Sequence, residues 1–358
     1  MKTYIKFLIL IFFRSFLFVS LILLSLIFIL NLLTEIEFFK NIEVKTYYPM
    51  FVASLNSPSL LFEMFPFVFL LTTQVFFVNL LTNNQLQIFK YSGLKNSKIM
   101  FILRIVSFVL GIFLITFFYN LSSNLKNFYL EQKIKHTLDG KYLAVITNNG
   151  LWIKDVIENK TNIINASKID QNLLLNVFIT EFDEKFEVKR NIKSNTVDVQ
   201  NKLWTIHNAI IYEKDGNIVK NEKLKFSSNF DYKKIQSLFS NLSSLSLIEL
   251  FELRNNYKLL SYSTTEVDVQ IQRIISFPFY FALMTILAAI LMLNTRELKN
   301  TTLKLTFGLF ASVIIYYMNN FFMIMGNTEK IPVLLSIWMP LFVLLILNSI
   351  GLNKINEK

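Results

Sequence analysis

Few side chains in this sequence are grouped in a way that could perform chemistry. The two histidines, His136 and His207, are 71 residues apart and the chain has no cysteine, so a metal site is not expected. The only Gly-Lys pair, Gly140-Lys141, lacks the rest of the Gly-x-x-x-x-Gly-Lys-Ser/Thr motif that binds nucleotide phosphates. No nucleophile with a base and no pair of carboxylates stands out. We therefore expect no catalytic residues, no bound cofactor and no nucleotide hydrolysis by this chain.

Isolated charges do occur within or beside long apolar runs. Arg14 and Arg104 lie about two helical turns inside their runs, where a long basic side chain usually reaches back to the membrane interface. Glu63 and Arg273 lie at the ends of two other runs. Solvation at the interface is the commoner role of such a residue, and contact with a substrate is the alternative. Which role applies depends on the helices that position these side chains.

Six apolar runs are long enough to cross a membrane. The chain has 358 residues, of which 53% are hydrophobic, including 37 Phe. A span needs about 20 mostly apolar residues, and runs of this length occur near 7–33, 60–81, 99–120, 270–293, 303–324 and 331–350. The first run lacks the small-residue cleavage pattern of a signal peptide, so we expect a retained helix.

A polar block separates the third run from the fourth. Residues 122–266 contain 20 Lys and Arg, nearly as many Asp and Glu, and no comparable apolar run. From residue 142 onward, short apolar segments alternate with turns such as Asn148-Asn149-Gly150 and Asp215-Gly216, which are typical of hairpins. About eight such segments fit a β-sandwich or jelly roll. The Ser246 to Glu249 spacing predicts a capped helix after the strands.

The basic residues predict which side of the membrane each loop faces. If the N-terminus is cytoplasmic, ten Lys and Arg lie in the cytoplasmic segments against two acidic residues, whereas the short outer loops hold three Lys and four Glu. Cytoplasmic loops are enriched in Lys and Arg, so we expect cytoplasmic termini and an outer polar block. Most of the net charge of +11 then comes from basic residues in the cytoplasmic segments, so it gives no reason to expect nucleic-acid binding.

These patterns predict an α-helical membrane protein with six transmembrane helices in a 3+3 arrangement and an inserted β-jellyroll-like domain. The expected divisions are 1–121, with a cytoplasmic loop at 82–98, then 122–266 with the domain and a linker helix, and 267–358.

Four short stretches within this architecture resemble one family. They are Phe65-Pro66-Phe67 followed by Asn84 to Gly93, the segment from Asn149 to Asp155, the segment from Ile274 to Met284, and the segment from Ile331 to Pro340. Their order and spacing resemble those of the lipopolysaccharide export permeases of the LptF/LptG type, and the Gly150-Leu151-Trp152 segment resembles the LptG member more closely. The resemblance covers the whole chain.

The resemblance implies one half of the membrane domain of an ABC transporter in the bacterial inner membrane, with a periplasmic β-domain. The implied partners are an LptB-like ATPase dimer that uses the ATP, an LptF-like paralogous permease, an LptC-like single-span protein and an LptA-like periplasmic bridge. The implied substrate is lipopolysaccharide, which the complex extracts from the inner membrane and passes towards the outer membrane.

The resemblance also implies two sets of site residues. The 82–98 loop would hold the helix that docks on the ATPase, with Gln85, Leu86, Phe89, Lys90 and Gly93, and Gln85 stands where the family has Glu. Candidates for substrate binding are Lys40, Lys45 and Arg273, whose cations attract phosphate, and three aromatic residues of the β-domain. These aromatic residues are Trp152, Phe178 and Trp204, for each of which core packing is the commoner role.

Two other classes of protein remain open. An ABC subunit for lipoprotein release or of the cell-division type has one span, a large outer domain and then three spans, so three clear spans before the domain count against it. A membrane scaffold that does not transport, with a β-domain that binds partners, is the other alternative.

Overall fold

The computed structural model describes residues 3–134, 136, 151–157, 160–170, 172–184, 186–232, 235, 241–259, 263–293 and 300–356. The chain divides into two compact units. The first, the membrane unit, comprises residues 1–126 and 265–358, and the second, the inserted unit, comprises residues 127–264.

The membrane unit is helical. Its helices before the inserted unit are α1 (Thr3–Phe39), α2 (Tyr48–Glu63), α3 (Phe65–Thr82), α4 (Gln85–Tyr91) and α5 (Asn96–Phe113), and a π-helical turn (Leu114–Tyr119) joins α5 to α6 (Asn120–Ile134). The label α7 is kept for a helix of the inserted unit. The later helices of the membrane unit are α8 (Thr265–Leu293), α9 (Thr301–Asn327) and α10 (Val333–Asn356). Six helices of the described residues are long and apolar enough to cross a membrane, as the apolar runs predict.

Two spans differ in detail from the prediction. The second apolar run is interrupted at Met64, between α2 and α3, because Pro66 sits at the start of α3, where its missing N–H costs nothing. The helix that holds the third run continues without interruption to Ile134, well beyond the apolar run. The one-residue break and the long extension leave no trace in the distribution of apolar residues.

Helix α8 is the most buried span and packs against α3, α5, α9 and α10. The ring of Phe69 stacks on that of Phe281 with centroids 4.6 Å apart and an interplanar angle of 8°. Gly111 allows α5 to approach α8 closely, because a Cβ at this position would lie 2.8 Å from Cα of Pro278. The spans are therefore held together by close packing of aromatic and small residues.

The inserted unit contains an antiparallel sheet. Its strands are β1 (Leu151–Ile157), β2 (Lys160–Ala166), β3 (Lys168–Asp170), β4 (Leu173–Phe182), β5 (Val188–Asp198), β6 (Leu203–Glu213) and β7 (Ile218–Ser227), and the strand order is β1-β2-β4-β5-β6-β7, with β3 paired to β4. Helix α7 (Leu247–Leu259) follows a short 3₁₀ turn (Leu242–Ser244).

Side-chain hydrogen bonds join strands and loops within the inserted unit. The buried carboxylate of Asp155 in β1 accepts hydrogen bonds from Ser228 Oγ at 2.7 Å and from the Asn229 backbone N–H at 3.1 Å, which ties the segment after β7 to β1. Arg190 in β5 makes a bidentate pair with Glu181 in β4, with two N–O distances of 2.7 Å. This pair raises the pKa of Arg190, because the hydrogen bonds to Glu181 favour the charged guanidinium.

Two local predictions are confirmed. Gly216 adopts a left-handed conformation with φ of 81° in the β6–β7 hairpin, as the Asp215-Gly216 pair predicts. Ser246 and Glu249 exchange hydrogen bonds at the start of α7, as their spacing predicts. The predicted hairpin around Asn148-Asn149-Gly150 lies outside the described residues, since only the strand that follows it is described.

Candidate functional site

A cavity of about 390 Å³ lies within the membrane unit, among α3, α8, α9 and α10. Sites for small molecules typically have volumes of about 300–1,000 Å³ and mostly apolar walls. The walls here include Phe67, Phe277, Met284 and Leu341. The cavity therefore has the size and the lining of a site for the apolar part of a ligand.

The end of the cavity formed by the start of α3 and the first half of α8 carries charge. Glu63, beside the break in the second span, and Arg273 in α8 both line it. The guanidinium of Arg273 lies 5.7 Å from the ring centroid of Phe277, which holds it against the aromatic wall. Lys126 of α6 lies within electrostatic range of both Glu63 and Arg273. Arg273 and Glu63 thus line this end, and a second cation, Lys126, lies near both of them without lining the cavity.

A buried amide adds a hydrogen-bond donor to the cavity wall. The Nδ2 atom of Asn319 in α9 is buried near the hydroxyl of Tyr280, but it makes no hydrogen bond of good geometry within the described part of the structure. A donor in such a position costs free energy unless a ligand or water satisfies it. The hydroxyls of Ser276, Ser312 and Ser336 instead donate to carbonyls of their own helices, at 2.7–2.8 Å. Asn319 and Arg273 are thus the groups suited to bind oxygen atoms of a ligand.

The other two cations predicted to bind the substrate do not lie at the cavity. Lys40 and Lys45 are exposed in the segment between α1 and α2, and neither lines the cavity. The ammonium of Lys45 lies 5.9 Å from the ring centroid of Tyr47. The structure therefore brings Arg273 together with Lys126 and Glu63, and leaves Lys40 and Lys45 apart from this group.

The three predicted aromatic residues of the inserted unit have different surroundings. Trp204 is fully buried and its indole N–H donates to the carbonyl of Phe230 at 2.7 Å, which is a packing role. Trp152 and Phe178 are 53% and 41% exposed, and strand pairing places both beside Asn165 on one face of the sheet. Trp152 and Phe178 can contact a ligand on this face, whereas Trp204 cannot without a change of the core.

Helix α4 holds the predicted docking residues. Leu86 is buried, Gln85 and Phe89 are half-buried, and the ring of Phe89 contacts that of Phe7 in α1 at 6.0 Å. Gly93 ends the helix in a left-handed conformation, and the N–H of Leu94 donates to the carbonyl of Phe89 at 2.9 Å. Lys90 belongs to α4, and its side chain lies outside the described part of the structure.

The outward face of α4 is apolar at two positions. Ile88 and Tyr91 are 59% and 90% exposed. Exposed apolar groups on a short surface helix are typical of a contact with another protein.

Comparison with protein families decides what kind of protein carries these features. The family model for lipopolysaccharide export system permease LptF/LptG matches residues 6–354, nearly the whole chain. The chain belongs to the LptF/LptG permease family. It is therefore a multi-pass membrane protein of a transport system and not an enzyme. Comparison with curated proteins finds no match.

Two residues of the permease cavity, and one residue beside it, were not predicted from the sequence. Asn319 and Asn320 line the cavity from the second half of α9, and Lys126, near its charged end, lies beyond the third apolar run. Two adjacent Asn residues in an otherwise apolar helix were a visible signal, because polar residues in a span usually face the protein interior. The proximity of Lys126 to Arg273 had no signal, since 147 residues separate them in the sequence.

Proposed function

We propose that this chain is one permease subunit of an ABC transporter that extracts lipopolysaccharide from the bacterial inner membrane and passes it to a periplasmic bridge. The observation that carries the proposal is the cavity, whose apolar walls end at Arg273, with Lys126 near that end, in a chain of the LptF/LptG family. A lipid with several acyl chains and acidic phosphates needs both features. A cavity of this volume holds only part of such a lipid.

The electrostatics of the cavity favour phosphate. The two cations exceed the single carboxylate of Glu63, so the charged end attracts an anion. A guanidinium binds phosphate through two parallel hydrogen bonds, and a hydrogen bond to a charged group contributes about 1.5–3 kcal/mol. Asn319 can donate a further bond to a phosphate or sugar oxygen.

The sidedness of the chain supports the proposed direction of transport. The basic loops favour a cytoplasmic side for α4 and both termini and a periplasmic side for the inserted unit. The charged end of the cavity lies towards the periplasmic ends of α3 and α8, because α8 starts on that side. This is the level of the phosphates of lipopolysaccharide in the outer leaflet.

Helix α4 is the proposed docking element for an LptB-like ATPase dimer, which would use the ATP. Gln85, Leu86, Phe89, Lys90 and Gly93 build the helix, and Ile88 and Tyr91 form its exposed apolar face. Gln85 cannot form the ion pair that the family's Glu would make, so we expect the apolar face to contribute most of the contact. Phe89 transmits movement of α4 to α1 through its contact with Phe7.

The remaining proposed partners meet other surfaces. The exposed apolar faces of α1 and α9 fit an LptF-like permease and the single helix of an LptC-like protein. The exposed pair of Trp152 and Phe178 fits lipid or an LptA-like bridge. Within the family, we propose that the chain is the LptG member, because the Gly150-Leu151-Trp152 segment resembles that member more closely.

The Arg273→Gln substitution tests the function. Loss of the phosphate contact removes about 1.5–3 kcal/mol, so we expect the appearance of new lipopolysaccharide at the outer membrane to slow at least tenfold in cells that depend on this variant. The matched control is Lys330→Gln, which removes an exposed cation between α9 and α10 that does not line the cavity. Normal delivery in Arg273→Gln cells, or equal defects in both variants, would count against the proposed role of the cavity.

A further inference from the structure

A second concavity lies on the membrane unit, and it is distinct from the cavity described above. It has a volume of about 600 Å³ and is lined by α5, α8 and α10. Ten of its eleven lining residues are apolar or aromatic, and the eleventh is Arg104. Only Leu341 also lines the first cavity. We call this second concavity the Arg104 groove.

Aromatic side chains form one wall of the Arg104 groove. The ring of Phe279 lies edge-on to that of Phe108 at 5.1 Å and to that of Trp338 at 5.4 Å. The indole N–H of Trp338 donates to Gln272 at 3.2 Å and is therefore used within the protein. Phe342, which completes the groove, is 61% exposed. The groove is thus an apolar channel open towards lipid, with Arg104 as the one charged group in it.

The depth of Arg104 within its span corresponds to the leaflet next to α4. Arg104 follows the start of α5 by eight residues, which is about 12 Å at a rise of 1.5 Å per residue. Helix α5 begins beside α4, and Phe108 lies one turn further into the membrane. Arg104 therefore stands in the α4 half of the groove, between Phe101 on the α4 side and Phe108 towards the bilayer centre.

Arg104 has no partner among the residues that the structure describes. No hydrogen bond or ion pair joins it to any other residue in the ranges that the structure describes, and α5 contains no acidic residue. A cation in this position is costly unless water or an anion satisfies it. Arg14 in α1 is also exposed at a similar depth in its span, but it lines neither concavity.

We propose that the Arg104 groove binds an anionic glycerophospholipid from the leaflet next to α4, with the phosphate at Arg104 and an acyl chain along Phe108 and Phe279. Charge complementarity selects the headgroup, because the groove offers one cation and no anion. The apolar wall, which runs from Arg104 to Trp338, selects a chain and not a free phosphate. The groove would then be a resident lipid site, separate from the cavity proposed for the transported lipid.

Trp338 is a reporter inside the groove. The full-length chain is reconstituted in vesicles that contain either phosphatidylglycerol or phosphatidylcholine with brominated acyl chains, which quench tryptophan fluorescence on contact. The chain has 3 Trp, and a Trp338→Phe variant gives the signal of the other two, which belong to the inserted unit. The difference between wild type and this variant isolates Trp338.

We expect phosphatidylglycerol to quench Trp338 at about one fifth of the mole fraction that phosphatidylcholine needs, because one basic residue near the membrane surface gives about fivefold selectivity for an anionic lipid. Arg104→Gln should abolish this preference, Arg104→Lys should retain most of it, and Arg14→Gln should leave it unchanged. Equal quenching by both lipids in the wild type, preference that survives in Arg104→Gln, or the absence of quenching by either lipid, as expected for a groove filled by protein, would overturn the proposal.

Discussion

Single polar residues join the spans near the α4 end of the membrane unit. Gln74 in α3 is fully buried, and its Nε2 donates to the carbonyls of Lys304 and Leu305 in α9 at 3.2 and 3.3 Å. The ammonium of Lys304 donates to the carbonyl of Met292, in the last turn of α8, at 2.9 Å. Two side chains thus connect three helices, and the ammonium of Lys304 satisfies a carbonyl at the end of α8 that has no partner within its own helix.

The contact of Gln74 with α9 depends on Gly308. A Cβ at this position would lie 2.0 Å from Gln74 Nε2, so something must move. We expect Gly308→Ala to destabilise the permease by about 1–3 kcal/mol, as is usual for an overpacked site. The apparent melting temperature of the full-length protein in detergent measures the effect.

A second substitution separates overpacking from a general effect of Ala in α9. Gly308→Ala combined with Gln74→Ala should recover part of the lost stability, because the clashing group is then absent. Thr306→Ala, at an exposed position of the same helix, should leave the melting temperature unchanged. An unaltered melting temperature for Gly308→Ala would show that the close contact is not as tight as described.

The sequence could predict the existence of elements better than the contacts of single residues. Lys304 was counted among the cytoplasmic loop cations, but the structure places it in the first turn of α9, with its ammonium inside the bundle. The hydropathy of a run reports which residues avoid water, and it does not report which carbonyl a buried ammonium meets. The same holds for Asn319, which lines the cavity, and for Lys126, which a distant segment brings near Arg273.

Helices and strands whose ends are set by local chemistry were the most predictable part of the fold. The capping pair at Ser246 and the Gly216 turn were visible because each needs only a few neighbouring residues. The break at Met64 and the π-helical turn from Leu114 to Tyr119 were not visible. Both change the hydrogen-bonding pattern of a continuous apolar run without changing its composition.

Helix α7 offers a test at the level of one element. Ser246 caps its start, where the backbone N–H of Ser246 donates to Glu249 at 2.7 Å and the N–H of Glu249 donates back to Ser246 at 3.4 Å. We expect Ser246→Ala to weaken α7 by about 1 kcal/mol, since the loss of a cap costs about 0.5–2 kcal/mol. Amide hydrogen exchange of α7 in the full-length protein should become faster by about fivefold.

Asn255→Ala is the matched control for the cap. Asn255 is exposed within α7, and Ala is the better helix former, so this change should slow the exchange or leave it as it is. If Ser246→Ala leaves the exchange of α7 amides as slow as in the wild type, tertiary contacts through Leu250 and Leu253, both buried, determine the stability of α7 and the cap does not.

The membrane unit as a whole exposes large apolar side chains along its fifth span. Of the 27 residues of α9, the buried ones form a narrow stripe of mostly small or polar side chains, namely Lys304, Gly308, Ser312, Ile315 and Gly326. Large side chains such as Phe310, Ile314 and Tyr317 are at least 65% exposed on its other faces. Together with the exposed face of α1, this surface is available to a second permease, which would enlarge the cavity beyond the volume that one chain encloses.

Site-specific photocrosslinking in cells tests directly whether the cavity at Arg273 takes up the transported lipid. A photoreactive residue in place of Phe67, which lines the cavity, is compared with one in place of Val109, which is exposed on α5 and lines neither concavity. We expect lipopolysaccharide adducts from position 67 well above those from position 109. An assembled permease that gives no adduct from position 67, or equal adducts from both positions, would contradict it.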